Sequence, residues 1–355
     1  MTRILITGAG GSAAYNFYDA LKLARTDLYV VGVDARPQHL ELIDVDKRYI
    51  VPPVSDPTYI DTLNKIIEIE KIEFVHPQPD VEVNFLSQHK DKINAKLFLP
   101  DHDVIEACHD KMQFNTILAK QNVAVPNAIH IKTHDDLKRA LKELTTTQPK
   151  IWLRAIRGAG SRASLPINSF YQGDAWIDYW HSFRGIGYGD FMASEFLPGH
   201  EFAWQSVWYN GELVTAQARE RVEYIFGNLT PSGQTSSPSV AKTVNRDDIN
   251  ETGQAAVKAV CDNPHGVFCV DMKEGSDGEP RVTEINAGRF FTTSNFFAHA
   301  GLNMPQMYVE LGLQGKLNTP KPPKLNPLKE DLYWVRMIDM GFKLVDGDSW
   351  TSSKI

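Results

Sequence analysis

Short apolar runs alternate, over the first hundred residues, with longer segments that carry apolar side chains at helical spacing. Short apolar runs are typical of strands buried on both faces, whereas apolar positions that recur every three or four residues are typical of amphipathic helices. The expected strands are residues 3–7, 29–33, 73–75 and 96–99, and the expected helices are residues 12–24 and 58–70. This alternation predicts a doubly wound parallel sheet and a mixed α/β fold.

Beyond the first hundred residues the pattern indicates a second unit, in which helices give way to strands. Thr133 and Asp136 have the spacing of a helix-capping pair, and residues 202–208 alternate as a strand does. Residues 228–239 are rich in Thr, Ser, Gly and Pro and are expected to form an exposed loop, and residues 332–345 a short C-terminal appendage. The expected helices are residues 110–121 and 248–261, and the expected strands include residues 150–154 and 267–271. After a turn at residues 275–278, a further strand that ends in residues 283–286 is expected to pair with residues 267–271 as a hairpin.

The composition narrows the class of protein. The 355 residues are 42% hydrophobic and 23% charged, which favours two or three folded domains over a disordered chain. A net charge of -7 makes a broad surface for nucleic acid unexpected, although a small basic pocket remains compatible with it. Three cysteines, Cys108, Cys261 and Cys269, are not spaced as zinc ligands and are expected to be reduced. No stretch approaches the ~20 apolar residues of a membrane span or a signal peptide's apolar run, so a cytoplasmic protein is expected.

The first candidate for chemistry is the glycine-rich turn at the end of the first predicted strand. Gly8, Gly10 and Ala13 fit a dinucleotide-binding pattern, and Asp34 closes the next strand, where an acid meets the ribose in NAD enzymes. A tight strand-to-helix turn also needs glycine for backbone reasons alone. Both explanations stay open.

The second candidate is a set of oxygen ligands in the predicted hairpin. Asp271 closes one strand, and Glu284 and Asn286 lie two residues apart on the other, so all three can share one face. Two carboxylates and an amide oxygen suit Mg²⁺ held together with phosphates. The alternative is that these residues are solvated charges on an exposed strand face.

The third candidate is the strand that ends at Arg154, together with the glycine-rich segment that follows it. Arg157 and Arg162 flank this segment, and guanidinium groups with backbone N–H groups are suited to closing over phosphates. The segment lacks the Gly-Lys-Ser/Thr ending of a Walker A loop, and a surface loop with incidental arginines is the alternative.

The fourth candidate is residues 194–201, which run through a Pro-Gly turn. Such a strip can place backbone groups beside an adenine and a carboxylate beside ribose hydroxyl groups. A strand, a turn and a satisfied acid would explain it equally well.

In this order and at these intervals, the four candidates and Asp110-Lys111 resemble the ATP-grasp superfamily, and most of all its carbamoyl-phosphate-synthase-like carboxylate–amine ligases. The resemblance covers residues 2–304. It implies an ATP-grasp fold with an N-terminal doubly wound parallel-sheet domain, a small lid domain and a larger antiparallel-sheet domain. The implied boundaries are 1–107, 108–193, 194–319 and, for the C-terminal appendage, 320–355.

The resemblance also implies a role for each matching residue. Lys111 and Arg154 would contact the ATP phosphates, and a loop from Gly158 through Gly160 to Ser161 would fold over them. Glu195, Phe196 and Leu197 would lie beside the adenine, and Glu201 would hold the ribose. One or two Mg²⁺ (or Mn²⁺) ions would be bound by Asp271, Glu284 and Asn286. Arg289 would contact the substrate carboxylate and its acyl phosphate, and Arg219 and Arg221 would lie near that same anionic site.

The activity that the resemblance implies is ADP-forming ligation of a small carboxylate to an amine, in a possible homodimer. Two other readings stay open, an NAD-dependent oxidoreductase built on the glycine turn and a non-catalytic ATP-binding protein. The sequence departs from the family where Ala287-Gly288 stands between Asn286 and Arg289, since one residue, Pro, is usual there. This added residue changes the reach expected of Arg289.

Overall fold

Over the residues that the computed structural model describes, 1–24, 27–158, 163–235, 237–336 and 353–354, the chain forms three β-sheets with helices packed on them. The strands are β1 Thr2–Thr7, β2 Leu28–Asp34, β3 Lys47–Ile50, β4 Phe74–His76, β5 Ala128–Ile131, β6 Ile151–Ala155, β7 Leu165–Ile167, β8 Phe191–Glu195, β9 Glu201–Tyr209, β10 Glu212–Tyr224, β11 Pro238–Val244, β12 Gly266–Glu274, β13 Pro280–Ala287, β14 Tyr333–Val335 and β15 Ser353–Lys354. The helices are α1 Ser12–Ala24, α2 Pro37–Leu40, α3 Tyr59–Glu70, α4 Asp80–Gln88, α5 His102–His109, α6 Lys111–Lys120, α7 His134–Glu143, α8 Phe170–Arg184, α9 Asp247–Val260, α10 Ser294–His299 and α11 Met304–Gln314, with 3₁₀ turns at Lys90–Lys92 and Gly227–Leu229.

The first sheet has the strand order β15-β3-β2-β1-β4, and its strands pair in parallel. Along β1, Ile4 and Ile6 pack with α1 on one face, while Leu5 packs with α3 and α4 on the other. Burial on both faces explains why the strands of this sheet are continuous apolar runs. The predicted doubly wound parallel sheet is confirmed.

One predicted strand of this region is wrong. Residues 96–99 are not a strand, because Lys96 makes only an isolated bridge to Phe74. Phe98 and Leu99 are nevertheless buried, at 2% and 5% exposure, so the apolar run reflects core packing. Pro100 follows at once and has no N–H with which to continue a ladder.

The second sheet is small and antiparallel, with the order β5-β8-β6-β7. Helices α7 and α8 pack on it, and α7 begins at the predicted capping box, in which Thr133 accepts from the Asp136 N–H and Asp136 from the Thr133 N–H. Strand β8 continues to Glu195, two residues beyond the boundary expected for the lid.

The third sheet has the order β13-β12-β9-β10-β11-β14 and is antiparallel throughout. Its central strand β9 is buried on both faces, with Ala203 and Val207 on one side and Trp204 and Trp208 on the other. The predicted β12–β13 hairpin is confirmed. This sheet carries most of the candidate site.

The expected loop at 228–239 needs correction at its C-terminal end. Pro238 and Ser239 belong to β11 and are buried, because this segment pairs with β10 instead of remaining in solvent. The C-terminal segment adds β14 to the third sheet and β15 to the first, and most of the appendage predicted at 332–345 lies outside the described residues.

Candidate active site

A cavity of about 1100 Å³ lies where the three sheets meet. Each predicted site residue that falls within the described part of the chain lines this cavity: Lys111, Arg154, Gly158, Glu195, Phe196, Leu197, Glu201, Arg219, Arg221, Asp271, Glu284, Asn286 and Arg289. Gly160 and Ser161 lie outside the described residues. Sequence positions almost 180 residues apart therefore meet in one cleft, and their assigned roles remain predictions.

The register of the third sheet places the predicted metal ligands side by side. Asp271 on β12 pairs with Glu284 on β13, and the neighbouring pair on the same face is Cys269 with Asn286. Side chains at paired positions of adjacent strands are about 5 Å apart at Cβ, which is close enough to share one cation. The expected common face is thus present, and it opens into the cavity rather than into bulk solvent.

Glu284 is held between two cations. The Arg154 Nη2 donates to its Oε2 at 3.0 Å, and the Lys111 Nζ lies 3.8 Å from its Oε1. Burial alone would raise the pKa of Glu284, but the charges of Lys111 and Arg154 outweigh it and lower that pKa to about 2. Burial lowers the pKa of Lys111, against the opposing effect of Glu284. Glu284 is therefore a carboxylate at neutral pH.

Asp271 and Glu201 share a third cation, Arg221, which donates to Asp271 at 2.7 Å and to Glu201 at 3.0 Å. Burial raises the pKa of Asp271, and Arg221 opposes that rise. Glu201 also accepts from the Lys273 Nζ at 3.2 Å and from the Gln234 Nε2 at 2.8 Å. The acid assigned to a ribose is therefore fully occupied by side chains in this arrangement.

Arg289 reaches the cavity in spite of the added residue before it. Its guanidinium donates to both carboxylate oxygens of Asp80 and to the Asn286 Oδ1. Gly288 makes this possible, because it has a φ of +84° and a Cβ there would lie 2.9 Å from Val83. The loop thus turns the arginine toward the predicted metal ligands.

The strip after β8 is built as a close turn on the third sheet. The Gly199 N–H donates to the Glu274 carbonyl at 3.1 Å, and a Cβ on Gly199 would meet the Glu274 Cβ at 2.5 Å. Phe196 stands beside Trp152, with ring centroids 6.3 Å apart, and the Lys150 ammonium lies 4.0 Å from the Phe196 ring. The Glu195 carboxylate accepts from the Asn127 N–H at 3.0 Å, so this side chain is already engaged.

The glycine-rich turn after β1 has packing reasons for its composition. A Cβ on Gly8 would lie 2.2 Å from Pro79, and one on Gly10 would lie 2.2 Å from His39. Asp34 accepts from the N–H groups of Gly10 and Arg36, at 3.2 and 2.9 Å. These contacts favour the backbone explanation over the dinucleotide-binding one.

The aromatic cluster Phe290, Phe291, Phe296 and Phe297 belongs to the core, with each side chain at most 5% exposed. Phe291 also lines the cavity, where the Arg219 guanidinium lies 4.3 Å from the centre of its ring. Arg219 itself is 1% exposed, and its Nε and Nη1 have no hydrogen-bond acceptor among the described residues.

Four further residues line the site and were not predicted from the sequence: Asp80, Tyr224, Gln234 and Lys273. Asp80 follows β4 and begins α4, so its position at the carboxyl end of a parallel strand was a usable signal. Lys273 is two residues from Asp271 and therefore on the same face of β12. Tyr224 donates to Glu201 from the end of β10, where the register with β11 shifts, and Gln234 lies in the loop before β11, whose path no local pattern indicates.

The donors suit a hard divalent cation, although they are few. Within the described ranges no group of three or more His, Cys, Asp and Glu side chains is arranged to hold a metal. The Asp271–Glu284 pair and the Asn286 amide oxygen are the oxygen donors that Mg²⁺ accepts, and Mg²⁺ takes its remaining ligands from water and phosphate. The residues present fit Mg²⁺ as a nucleotide-bound ion.

No helix in the described part of the chain has the length and apolar character to cross a lipid bilayer. Residues 4–97 match the family described as PylC-like, N-terminal domain. A comparison with curated protein sequences finds no match.

Solved structures provide the broadest likeness. An L-amino acid ligase from Bacillus licheniformis is 14% identical, with a TM-score of 0.64 over 88% of this chain and 74% of that one. The biotin carboxylase domain of 2-oxoglutarate carboxylase from Hydrogenobacter thermophilus, a dimer in complex with MgADP, ADP and bicarbonate, is 14% identical, with a TM-score of 0.69 over 94% and 73%. N5-carboxyaminoimidazole synthetase from Staphylococcus aureus, complexed with ADP, is 16% identical, with a TM-score of 0.66 over 90% and 79%. Together with the sheet topology, these likenesses establish that the chain has the ATP-grasp fold.

Proposed function

We propose that the chain is an ATP- and Mg²⁺-dependent ligase that activates a small carboxylate as an acyl phosphate for attack by an amine, with release of ADP and phosphate. The observation that carries this proposal is the Asp271–Glu284 pair in register within the cavity, flanked by Lys111, Arg154 and Arg221. Buried acids and cations at this density are typical of a site that handles phosphate groups.

The chemistry requires such a charge arrangement. An oxygen of the substrate carboxylate forms a bond to the γ-phosphorus of ATP, and the bond from that phosphorus to the bridging oxygen breaks, so ADP leaves. The amine nitrogen then attacks the acyl carbon and loses a proton, while the carbon–oxygen bond to phosphate breaks. Because the first step brings two anions together, oriented cations lower its barrier. In this proposal Lys111 and Arg154 neutralise the phosphates, and Arg289 orients the carboxylate.

The predicted ligands Asp271, Glu284 and Asn286 would hold the metal. Mg²⁺ (or Mn²⁺), when bound, supplies positive charge to the phosphate oxygens. Arg221 fixes the Asp271 carboxylate at 2.7 Å, and Asn286 is held by Arg289 at 2.5 Å, so both donors are oriented by the chain itself. The strip containing Glu195, Phe196 and Leu197 would receive the adenine.

We extend the proposal to the assembly and the compartment. The carboxylase domain from Hydrogenobacter thermophilus is described as a dimer, and a homodimer is proposed for this chain, to be tested by sedimentation velocity. A cytoplasmic location, where ATP is available, is proposed with it.

The test is ADP release measured across a matrix of carboxylates and amines, with mass detection of the products. We expect at least one pair to give ADP, phosphate and an amide product, and Glu284→Gln or Asn286→Ala to abolish release without unfolding the chain. Mg-ATP should raise the melting temperature and NAD should not, since Asp34 is engaged by backbone N–H groups. Tight binding of ATP with no ADP from any pair would indicate a non-catalytic nucleotide-binding protein instead.

A further inference from the structure

The cations that line the cavity differ in whether they have an acidic partner. Within the described part of the chain, five of them form ion pairs: Lys111 and Arg154 with Glu284, Arg221 with Asp271 and Glu201, Lys273 with Glu201, and Arg289 with Asp80. The sixth lining cation is Arg219, whose Nε and Nη1 have no acceptor among these residues.

Arg219 is also the most deeply buried of these arginines. Its side chain is 1% exposed, it lies over the Phe291 ring at 4.3 Å, and the next residue on the same face of β10 is another cation, Arg221. Burial, together with repulsion from Arg221, lowers the pKa of Arg219. Attraction to Asp271 opposes this shift, but no acid of the described residues forms an ion pair with Arg219, so its buried charge is incompletely compensated there.

The sheet register fixes the position of Arg219 relative to the predicted metal ligands. One cross-strand row runs from Glu284 through Asp271 and Ala203 to Arg219. Arg219 therefore lies two strands from Asp271, which corresponds to about 10 Å between backbones. The distance separates Arg219 from the proposed phosphoryl-transfer centre, yet the two share one cavity.

A second element lines the cavity beside the loop that carries Phe291. Residue Thr292 follows Phe291 and lines the cavity, and its carbonyl accepts from the Asn16 side chain of α1. The first residues of this 13-residue helix, Ser12 to Ala14, line the cavity as well, and no acidic residue lies in its first turn. The positive end of the α1 dipole thus adds to the charge of Arg219.

We infer that Arg219 and the N-terminus of α1 form a second anion subsite, which holds a carboxylate that does not react and is retained in the product. This inference rests on the proposed ligase function and names its substrate class: beside the carboxylate that is activated, the substrate pair carries one more. The retained carboxylate can belong to a diacid that is activated at its other end, or to an amino acid that supplies the amine. Both sources present the same chemistry to Arg219.

The experiment separates the two sources in two arms. The first arm pairs succinate, glutarate and adipate, and the mono-amide of each, with a simple amine. The second arm pairs a monocarboxylate with amino acids and with the corresponding amino acid amides. ADP release is measured for the wild type, Arg219→Met, Arg219→Lys and a matched control, Arg139→Met, which removes an exposed arginine of α7. Calorimetric titration of the same compounds, with ADP and Mg²⁺ present, reads binding without turnover.

In one arm the wild type should strongly prefer the compound with the free carboxylate. For that compound Arg219→Met should raise KM by about 10- to 100-fold, as expected for a lost charge-assisted hydrogen bond, with a smaller change in kcat. Arg219→Lys should recover part of the loss, and Arg139→Met should match the wild type. For the amides, the effect of Arg219→Met on KM should be much smaller than for the acids.

Three results would overturn the inference. They are equal use of acids and amides by the wild type, an equal loss for all compounds in Arg219→Met, and no calorimetric binding of any acid. If no pair releases ADP but an acid binds and loses affinity in Arg219→Met, the ligase proposal fails while the subsite stands. Without ligand, Arg219→Met should melt at a higher temperature than the wild type, because the unpaired charge is gone, and a lower melting temperature would be a fourth result against the subsite.

Discussion

The two ends of the cavity treat buried charge differently. At the end formed by β12 and β13, Asp271 and Glu284 each have a cation within 3.0 Å, and each of those cations is fixed by its acid. At the end formed by β10 and the loop after β13, Arg219 is more deeply buried and forms no ion pair with an acid of the described residues.

This difference separates two kinds of preorganisation. Ion pairs at the first end hold each side chain in place before any ligand arrives, and incoming phosphate and metal ions can exchange with charges already present. At the second end Arg219 carries a buried charge that no acid of the described residues pairs with, and an anionic ligand would neutralise it. A stability gain on removing a charge, and an activity loss with it, should therefore occur together only at Arg219.

The largest effect is expected from Glu284→Gln. The substitution removes a predicted metal ligand and leaves Lys111 and Arg154 without their acid, so ADP release should fall by at least about 100-fold. Glu279→Gln in the exposed turn of the same hairpin is the matched control and should keep wild-type turnover. Turnover near that of the wild type in Glu284→Gln would show that Glu284 does not hold the metal, and the paired end would then not be the reacting end of the cavity.

A smaller effect is expected from Asp80→Asn. Asp80 holds Arg289 by two hydrogen bonds and acts on the substrate carboxylate through it, so it is a positioning residue. We expect KM for the carboxylate to rise by about tenfold, with KM for ATP unchanged, and Asp80→Glu to recover part of the loss. The exposed residue Asp91 supplies the control, Asp91→Asn. An equal rise in KM for ATP would show that Asp80 supports the fold rather than Arg289.

The sequence could predict the paired end better than the unpaired one. Asp271, Glu284 and Asn286 lie on a hairpin, where the alternation of side chains fixes their common face from local pattern alone. The fold class followed from equally local signals: α1, α3, α6 and α9 begin and end within one residue of their predicted limits. Local periodicity therefore sufficed for the elements and for one half of the site.

Long-range contacts were not accessible in this way. Asp80 and Arg289 are 209 positions apart, and Gln234 reaches Glu201 from a loop without periodic pattern. The strand predicted at residues 96–99 is absent because an apolar run buried against β4 and α11 has the same sequence pattern as a buried strand. That Arg219 forms no ion pair within the described part of the chain depends on every element around it, which no single segment of sequence contains.

A modest effect is expected from Lys273→Met at the paired end. Glu201 would lose one cation but keep Arg221, Tyr224 and Gln234, so its position should change little. We expect KM for ATP to rise about threefold, as for loss of one of several donors, with KM for the carboxylate unchanged. A loss as large as that of Glu284→Gln would mean that Glu201 needs every one of its hydrogen-bond partners to keep its position.

The pH dependence of stability separates the two ends without any substrate. Since the pKa of Glu284 is lowered from 4.5 to about 2, its stabilising contribution is present above pH 4.5 and is lost as the pH falls toward 2. The difference in the free energy of unfolding between wild type and Glu284→Gln, measured in urea, should therefore shrink between pH 4.5 and pH 2. Arg219 stays protonated over that whole range, so the difference between wild type and Arg219→Met should keep the opposite sign; it should not shrink in size, because protonation of Asp271 removes an attraction to Arg219. A Glu284 difference that is flat down to pH 2 would mean that its carboxylate gains nothing from Lys111 and Arg154.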